Sequence, residues 1–198
     1  MRFLSIPALA ILICALLALQ PAHAQQQRQS TPVAVPTDQA ERVDDLFAEL
    51  LRARNEAAAQ RIANRIWREW FRSGSASIDL LMQRADAAMK ARSHDVALDL
   101  LDQVVTLAPN YAEGWNRRAT VHFMMEDYAK SMSDIERTLR LEPRHFGALG
   151  GMARILKDSG RKELALEAYT RVLEVYTMLR SAQTEVGDLA EELAGQGI

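Results

Sequence analysis

The chain is 198 residues long, with 24 lysines and arginines against 26 aspartates and glutamates, one cysteine, nine glycines and six prolines. These figures exclude a disulfide-stapled mini-protein, a collagen-like fibre and a polytopic membrane protein, and a net charge of −2 gives no global electrostatic reason to bind nucleic acid. Aromatic residues are only 6%, while alanine, leucine, arginine and glutamate dominate, which favours helix over sheet in one domain or one short repeat array.

Met1-Arg2 is a short basic start, and Phe3 to Leu19 follows without a charge. Pro21 then breaks the run, and Ala22-His23-Ala24 places small residues in an A-x-A pattern. Residues 1–24 therefore read as a secretory signal peptide cleaved after Ala24, leaving Gln25 first. An uncleaved anchor is the rival reading, because the uncharged run is near the lower limit of a membrane span. Removing 1–24 also removes Arg2 and Cys14, so the mature chain has no cysteine and relies on packing alone in an oxidising compartment. That address suggests a bacterial periplasm and no stable membrane insertion after cleavage.

Residues 25–40 read as a flexible lead-in: Gln25–Thr37 is polar, carries Pro32 and Pro36, and shows no helical period. Residues 41–77 read as a helical hairpin. Phe47, Leu50 and Leu51 lie on its first helix, Arg54-Asn55-Glu56 at its turn, and Ala63, Trp67 and Trp70 on its second. Ser73-Gly74-Ser75 ends it. Arg65, Arg68 and Arg72 interleave with Trp67, Trp70 and Phe71 at helical spacing, which predicts core aromatics on one face and solvated arginines on the other.

From residue 78 a period of 34 organises the chain. Ala85, Ala119 and Ala153 fall at that interval, as do Ala97, Ser131 and Ala165, then Val105, Leu139 and Leu173, then Pro109 and Pro143. Three units result: 78–111, 112–145 and 146–179. Each carries the i, i+3, i+4, i+7 apolar spacing of an amphipathic helix twice over. In the middle unit the first helix is expected over Glu113–Met125 and the second over Tyr128–Leu141, ended by Glu142-Pro143. Small Ala119 is expected to let the two helices approach closely. The third unit has Thr177 in place of the closing proline, so its last helix is expected to run on. Residues 180–198, with Val186, Leu189 and Leu193, read as a capping helix.

Trp115, Ala119, Asp127-Tyr128, Ser131, Leu139 and Pro143 make the middle unit resemble the tetratricopeptide repeat (TPR) family. The resemblance implies an all-α, right-handed TPR-like helical-hairpin solenoid with capping helices, in which 41–77 is a divergent N-terminal hairpin in the same register. Small exported TPR proteins of Gram-negative bacteria look like this overall.

No catalytic constellation is visible. H-E-x-x-H, C-x-x-C and D-x-D-x-D-G patterns are absent, so neither a metal nor a cofactor is expected. His94, His122 and His145 are well separated along the array, and no G-x-S-x-G elbow occurs. Gly147, Gly150 and Gly151 lie inside a helix without a preceding strand. They read as small packing residues that soften the third repeat or admit a ligand backbone.

The resemblance also implies where a partner sits. The first helix of each repeat lines a concave groove, which assigns Asp79, Met82, Asp86 and Met89 from the first unit. Asn116, Thr120, Phe123 and Met124 come from the second, with Glu113 beside them, and Arg154 and Lys157 from the third. Gln83, Asp86, Arg117 and Thr120 stand where carboxylate-clamp TPR domains carry Asn and Lys or Asn, so that clamp is not expected. The methionines and Phe123 suggest an adaptable apolar groove for a protein or peptide partner. The expected function is a non-enzymatic scaffold of the cell envelope; the alternative is a self-associating structural protein that uses the same faces between copies.

Overall fold

The structure is a computed structural model that describes residues 37–195. The signal-peptide segment 1–24, the lead-in as far as residue 36, and residues 196–198 lie outside the described residues. Among the described residues there are nine α-helices and no strand. They are α1 (Thr37–Leu51), α2 (Glu56–Trp70), α3 (Ala76–Lys90), α4 (His94–Leu107), α5 (Ala112–Met124), α6 (Tyr128–Leu141), α7 (Phe146–Asp158), α8 (Lys162–Val175) and α9 (Arg180–Gly195). None of the described helices is long and apolar enough to cross a membrane.

Helix α1 packs on α2, and from α3 to α9 each helix packs on the next, forming the helical-hairpin solenoid expected from the period. The backbone repeats as faithfully as the side chains do. Left-handed residues stand at Arg92 (φ 58°), Glu126 (φ 59°) and Gly160 (φ 74°), at intervals of 34. Each closes a helix with the same pair of bonds. The residue after it donates to a carbonyl five residues back, as Ser93 to Ala88, Asp127 to His122 and Arg161 to Leu156. Such caps satisfy the last carbonyls of a helix, and only glycine adopts the required φ freely.

The second helix of each repeat ends just as regularly. Ala108, Glu142 and Tyr176 take φ of −130°, −137° and −133°, each donating its N–H four residues back. The third helix therefore does not run on for want of a proline: α8 stops at Val175. Burial ends it instead. Tyr176 is 2% exposed, lies 5.5 Å from the Phe146 ring, and donates its hydroxyl to Gln60 Oε1 at 3.3 Å.

Two departures concern the N-terminal hairpin. Thr37–Ala40, expected to belong to the lead-in, form the first turn of α1. Asp38 there accepts from Arg42 at 2.8 Å, and Gln39 Nε2 ties the turn to the end of α2 through the Arg72 carbonyl at 3.0 Å. More important is where the hairpin packs. A hairpin stacked in register would share its apolar face with α3 and α4. Instead Val43, Phe47, Leu50, Ile66 and Trp70 join one core with Phe146, Leu149, Tyr169, Val172 and Leu189 of α7, α8 and α9. The first repeat keeps a separate core around Met82, Leu101 and Val121. Arg180 reaches back to Glu56 at 2.8 Å, and Arg144 to Asp44 at 2.8 Å, so charge pairs rim the same contact.

Candidate functional site

The α5–α6–α7 junction encloses a cavity of about 230 Å³. Ala119, Ile135 and Ala148 make its apolar floor, Asn116, Thr120 and Phe123 one wall, and Gly147 and Gly151 the other, with Arg154 at the mouth. Helical register explains the wall: 116, 120 and 123 lie on one stripe of α5. Ala119 is 2% exposed, and Ser131 Oγ donates to its carbonyl at 2.9 Å, fastening α6 to α5 beneath the floor. Phe123 is half-buried and leans on Tyr128, with ring centroids 5.7 Å apart. Arg154 donates through Nε to both carboxylate oxygens of Asp158 at 2.9 Å, which holds its guanidinium above its ordinary pKa.

A second hollow of about 230 Å³ lies between α3 and α5, lined by Asp86, Met89, Lys90, Arg117 and Met124. Met124 is 48% exposed there, a large apolar side chain facing solvent. The expected groove residues thus separate into two adjoining sets: Asn116, Thr120, Phe123 and Arg154 in one cavity, and Asp86, Met89 and Met124 in the other. Asp79, Met82 and Lys157 join neither. Asp79 accepts from the Ser73 N–H and hydroxyl and fixes the α2–α3 turn. Met82 is 5% exposed in the core of the first repeat, and Lys157 pairs with Glu185 of α9.

Glu113 is not available to a partner either. Its side chain is fully buried, and its carboxylate accepts from Asn116 Nδ2 at 2.9 Å, Arg117 Nε at 3.0 Å and His145 Nε2 at 3.0 Å. His145 Nδ1 in turn accepts the Ala148 N–H at 3.1 Å and so caps α7. A ring nitrogen that accepts carries no proton, so Nε2 is the ring nitrogen that donates to Glu113. Arg117 continues the chain to Asp86 at 2.7 Å and lies over the Phe71 ring at 4.7 Å. This network joins the first repeat, the second, the third and the N-terminal hairpin. The one signal in the sequence was that residues 111 and 145 share a repeat column. Separately, burial lowers the pKa of His122, which lies 3.9 Å from Asp134. Among the described residues no group of three or more His, Cys, Asp or Glu side chains could hold a metal ion.

The glycines of α7 play different parts. A Cβ on Gly147 would stand 2.7 Å from Trp67 Cη2, whereas one on Gly150 would meet nothing within 4 Å. Gly147 is therefore small to admit the Trp67 ring of α2, and Gly150 has no packing reason to lack a side chain. Gly147→Ala is expected to lose about 1–2 kcal/mol through overpacking, while Gly150→Ala gains about 0.5–1 kcal/mol of helix propensity. Urea denaturation of both variants checks the opposite signs.

The comparisons agree with this architecture. The family profile described as tetratricopeptide repeat matches residues 146–176. A TPR repeat-containing protein of Rhizobium etli is 54% identical over 155 residues, which cover 78% of this chain and 76% of that protein. Among solved structures, the first TPR of Spaghetti (RPAP3), bound to an HSP90 peptide, aligns with a TM-score of 0.56 at 21% identity, over 59% of this chain and 93% of that one. The crystal structure of MamA aligns with a TM-score of 0.56 at 17% identity, over 70% of this chain and 81% of that one. The repeated backbone caps, the helical-hairpin solenoid and an identity of 54% across most of the Rhizobium etli protein agree, and the chain belongs to the tetratricopeptide repeat family.

Proposed function

We propose that the protein is a non-enzymatic, exported adaptor of the bacterial cell envelope that holds a partner protein on its α3–α5–α7 face. TPR domains generally mediate protein–protein interaction, and family membership supports the same role here. The observation that carries the reading is the apolar cavity beside Phe123. A cup of about 230 Å³ with a glycine-lined wall suits one large apolar side chain of an extended or helical peptide. The neighbouring Met89–Met124 hollow offers an adaptable second contact. The signal-peptide pattern of residues 1–24 supports a periplasmic setting with cleavage after Ala24.

A photoreactive residue at position 123 tests this in the native envelope. One discrete adduct is expected, lost when the probe moves to position 137. There Arg137 faces the opposite side, donating to the Pro109 carbonyl at 3.1 Å. Phe123→Glu is expected to abolish capture while far-UV circular dichroism stays unchanged, because a carboxylate in an apolar cup loses its solvation. Capture that survives the charge removes the cavity from the interface. An adduct at twice the protein's own mass assigns the face to self-association instead, and export that fails to deliver the protein to the periplasm overturns the location.

A further inference from the structure

The outward face of the second helices changes sign along the chain. On α2 it carries Arg61, Arg65 and Arg68 at i, i+4, i+7, and on α4, 34 residues further on, Asp95, Asp99 and Asp102 hold the same three places. All six are exposed, and α4 has no lysine or arginine. Arg65 pairs with Glu49 at 2.6 Å and Asp102 with Arg118 at 2.8 Å. Among the described residues, Arg61, Arg68, Asp95 and Asp99 make no ion pair, and none joins the two rows within the chain. On the stripe beside the acid row, Val96 and Leu107 are 53% and 51% exposed, large apolar side chains without cover.

The Asp102 end of that row opens into a cavity of about 380 Å³ between α4, α5 and α6. Asp102, Arg118, His122, Lys130 and Asp134 line it, on the side of α5 away from Asn116, Thr120 and Phe123. Most of its polar groups are already engaged. Arg118 donates to both oxygens of Asp134 at 2.7 Å and to Asp102 Oδ1 at 2.8 Å, and Lys130 pairs with Asp127. His122 differs. Its side chain is only 10% exposed, yet its ring makes no hydrogen bond among the described residues, and Asp134 Oδ2 stands 3.9 Å from Nε2, beyond hydrogen-bond reach. Buried polar groups are almost always paired, so the cavity lacks a group. Among the described residues, the sealed side-chain polar atoms without a partner are Trp70 Nε1 and Tyr111 Oη. The His122 nitrogens are not among them, so an occupant of the cavity can reach them. Burial lowers the pKa of the imidazole and keeps it neutral, so one ring nitrogen is an acceptor. Asp102 keeps Oδ2 for a further bond, and the unspent capacity is therefore for donors.

Arginine offers donors alone, on a positive planar fork that can reach a carboxylate oxygen and a ring nitrogen at once. Row and cavity together call for a helix that presents arginines at i, i+4, i+7, and α2 of this chain is such a helix. We propose that the α4 acid row and the cavity at its Asp102 end dock the arginine face of α2 from a second copy, with one guanidinium donating to Asp102 and His122. This goes beyond the adaptor reading and does not rest on it. The contact leaves the α3–α5–α7 face open, so two copies associate without displacing a partner. Complementary charge sets the orientation and rate of such an encounter, while Val96 and Leu107 supply apolar contact. Ion pairs at exposed positions are individually weak and screened by salt, so the association is weak and salt-sensitive.

Sedimentation velocity of the purified protein tests this. The weight-average mass is expected to rise with concentration, and the association constant to fall at least about tenfold between about 0.05 M and 0.5 M salt. Two double variants, Arg61→Glu with Arg68→Glu and Asp95→Lys with Asp99→Lys, are each expected to lower it at least about tenfold. Mixed in equal amounts they are expected to regain it to within about threefold, because glutamates on one α2 then face lysines on the other α4. His122→Phe keeps a ring and removes its nitrogens, and is expected to weaken association about three- to tenfold. Far-UV circular dichroism verifies that every variant is folded. A protein that stays monomeric at every concentration overturns the proposal, and so does a mixture that fails to associate. Association that His122→Phe leaves unchanged overturns the cavity's part in the contact. Association abolished by Phe123→Glu places the contact on the α3–α5–α7 face and also overturns the proposal.

Discussion

Glu113→Ala is expected to destabilise the protein by about 3–5 kcal/mol, the range for removing one partner of a buried ion pair. The carboxylate is fully buried and accepts from three donors on α5 and at the start of α7. Deleting it strands the His145 Nε2–H and the Asn116 amide in the interior and leaves Arg117 with Asp86 as its remaining carboxylate partner. Each stranded group forfeits solvation without regaining a bond. Because His145 also caps α7 through Nδ1, the loss extends into the third repeat. Small domains are stable by about 5–15 kcal/mol, so this one substitution removes a large share. Glu113→Gln keeps the shape and one acceptor oxygen and is expected to cost less, about 1–3 kcal/mol. Urea unfolding midpoints order the three proteins; equal midpoints for Glu113→Ala and the parent show that water replaces the carboxylate.

The helices were legible because each apolar stripe is written locally. Tyr128–Leu141 was expected for the second helix of the middle unit, and α6 has those bounds. The turn expected between Met125 and Tyr128 falls where Glu126 adopts the left-handed backbone, and Arg92 and Gly160 repeat it at intervals of 34, although only Gly160 advertises it; Arg92 and Glu126 adopt it through the bonds they close. Which helix faces which was not legible for the N-terminal hairpin. Periodicity shows that α2 must bury Trp70 but not against what, and its partners, His145 and Phe146, are distant in the chain. Register alone left open whether the hairpin acts as a repeat, and the aromatic cluster joins it to the third repeat.

The site divides along the same line. Asn116, Thr120 and Phe123 meet at one cavity because helical spacing alone aligns them. Met82 has the same residue type as Met89, yet it turns into the α3–α4 core, while Met89 lines a hollow. Glu113 was the hardest to place. A glutamate in the first turn of a helix usually faces water, and its burial depends on a histidine 32 residues away that no local pattern announces.

The hairpin's attachment has a consequence that spans the array. Trp70 is 7% exposed and stacks on the His145 ring at 4.1 Å with planes 10° apart. It also lies 4.9 Å from Phe146 and 5.9 Å from Phe47 by ring centroid. Trp70→Ala removes the ring that joins α2 to the start of α7, at an expected cost of about 3–5 kcal/mol. The damage should not be uniform, because repeat arrays are stabilised by local interfaces. Residues of α1, α2, α7, α8 and α9 share one core, whereas α3 and α4 are built around another. In native-state hydrogen exchange, protection should therefore fall first in α1–α2 and α7–α9 and persist in α3–α4. Equal loss in all nine helices would mean that the Glu113–His145 network couples the two cores into one cooperative unit. Protection lost in α1–α2 alone would mean that the third repeat and α9 hold together without the hairpin, which then acts as a cover and not as a structural tie.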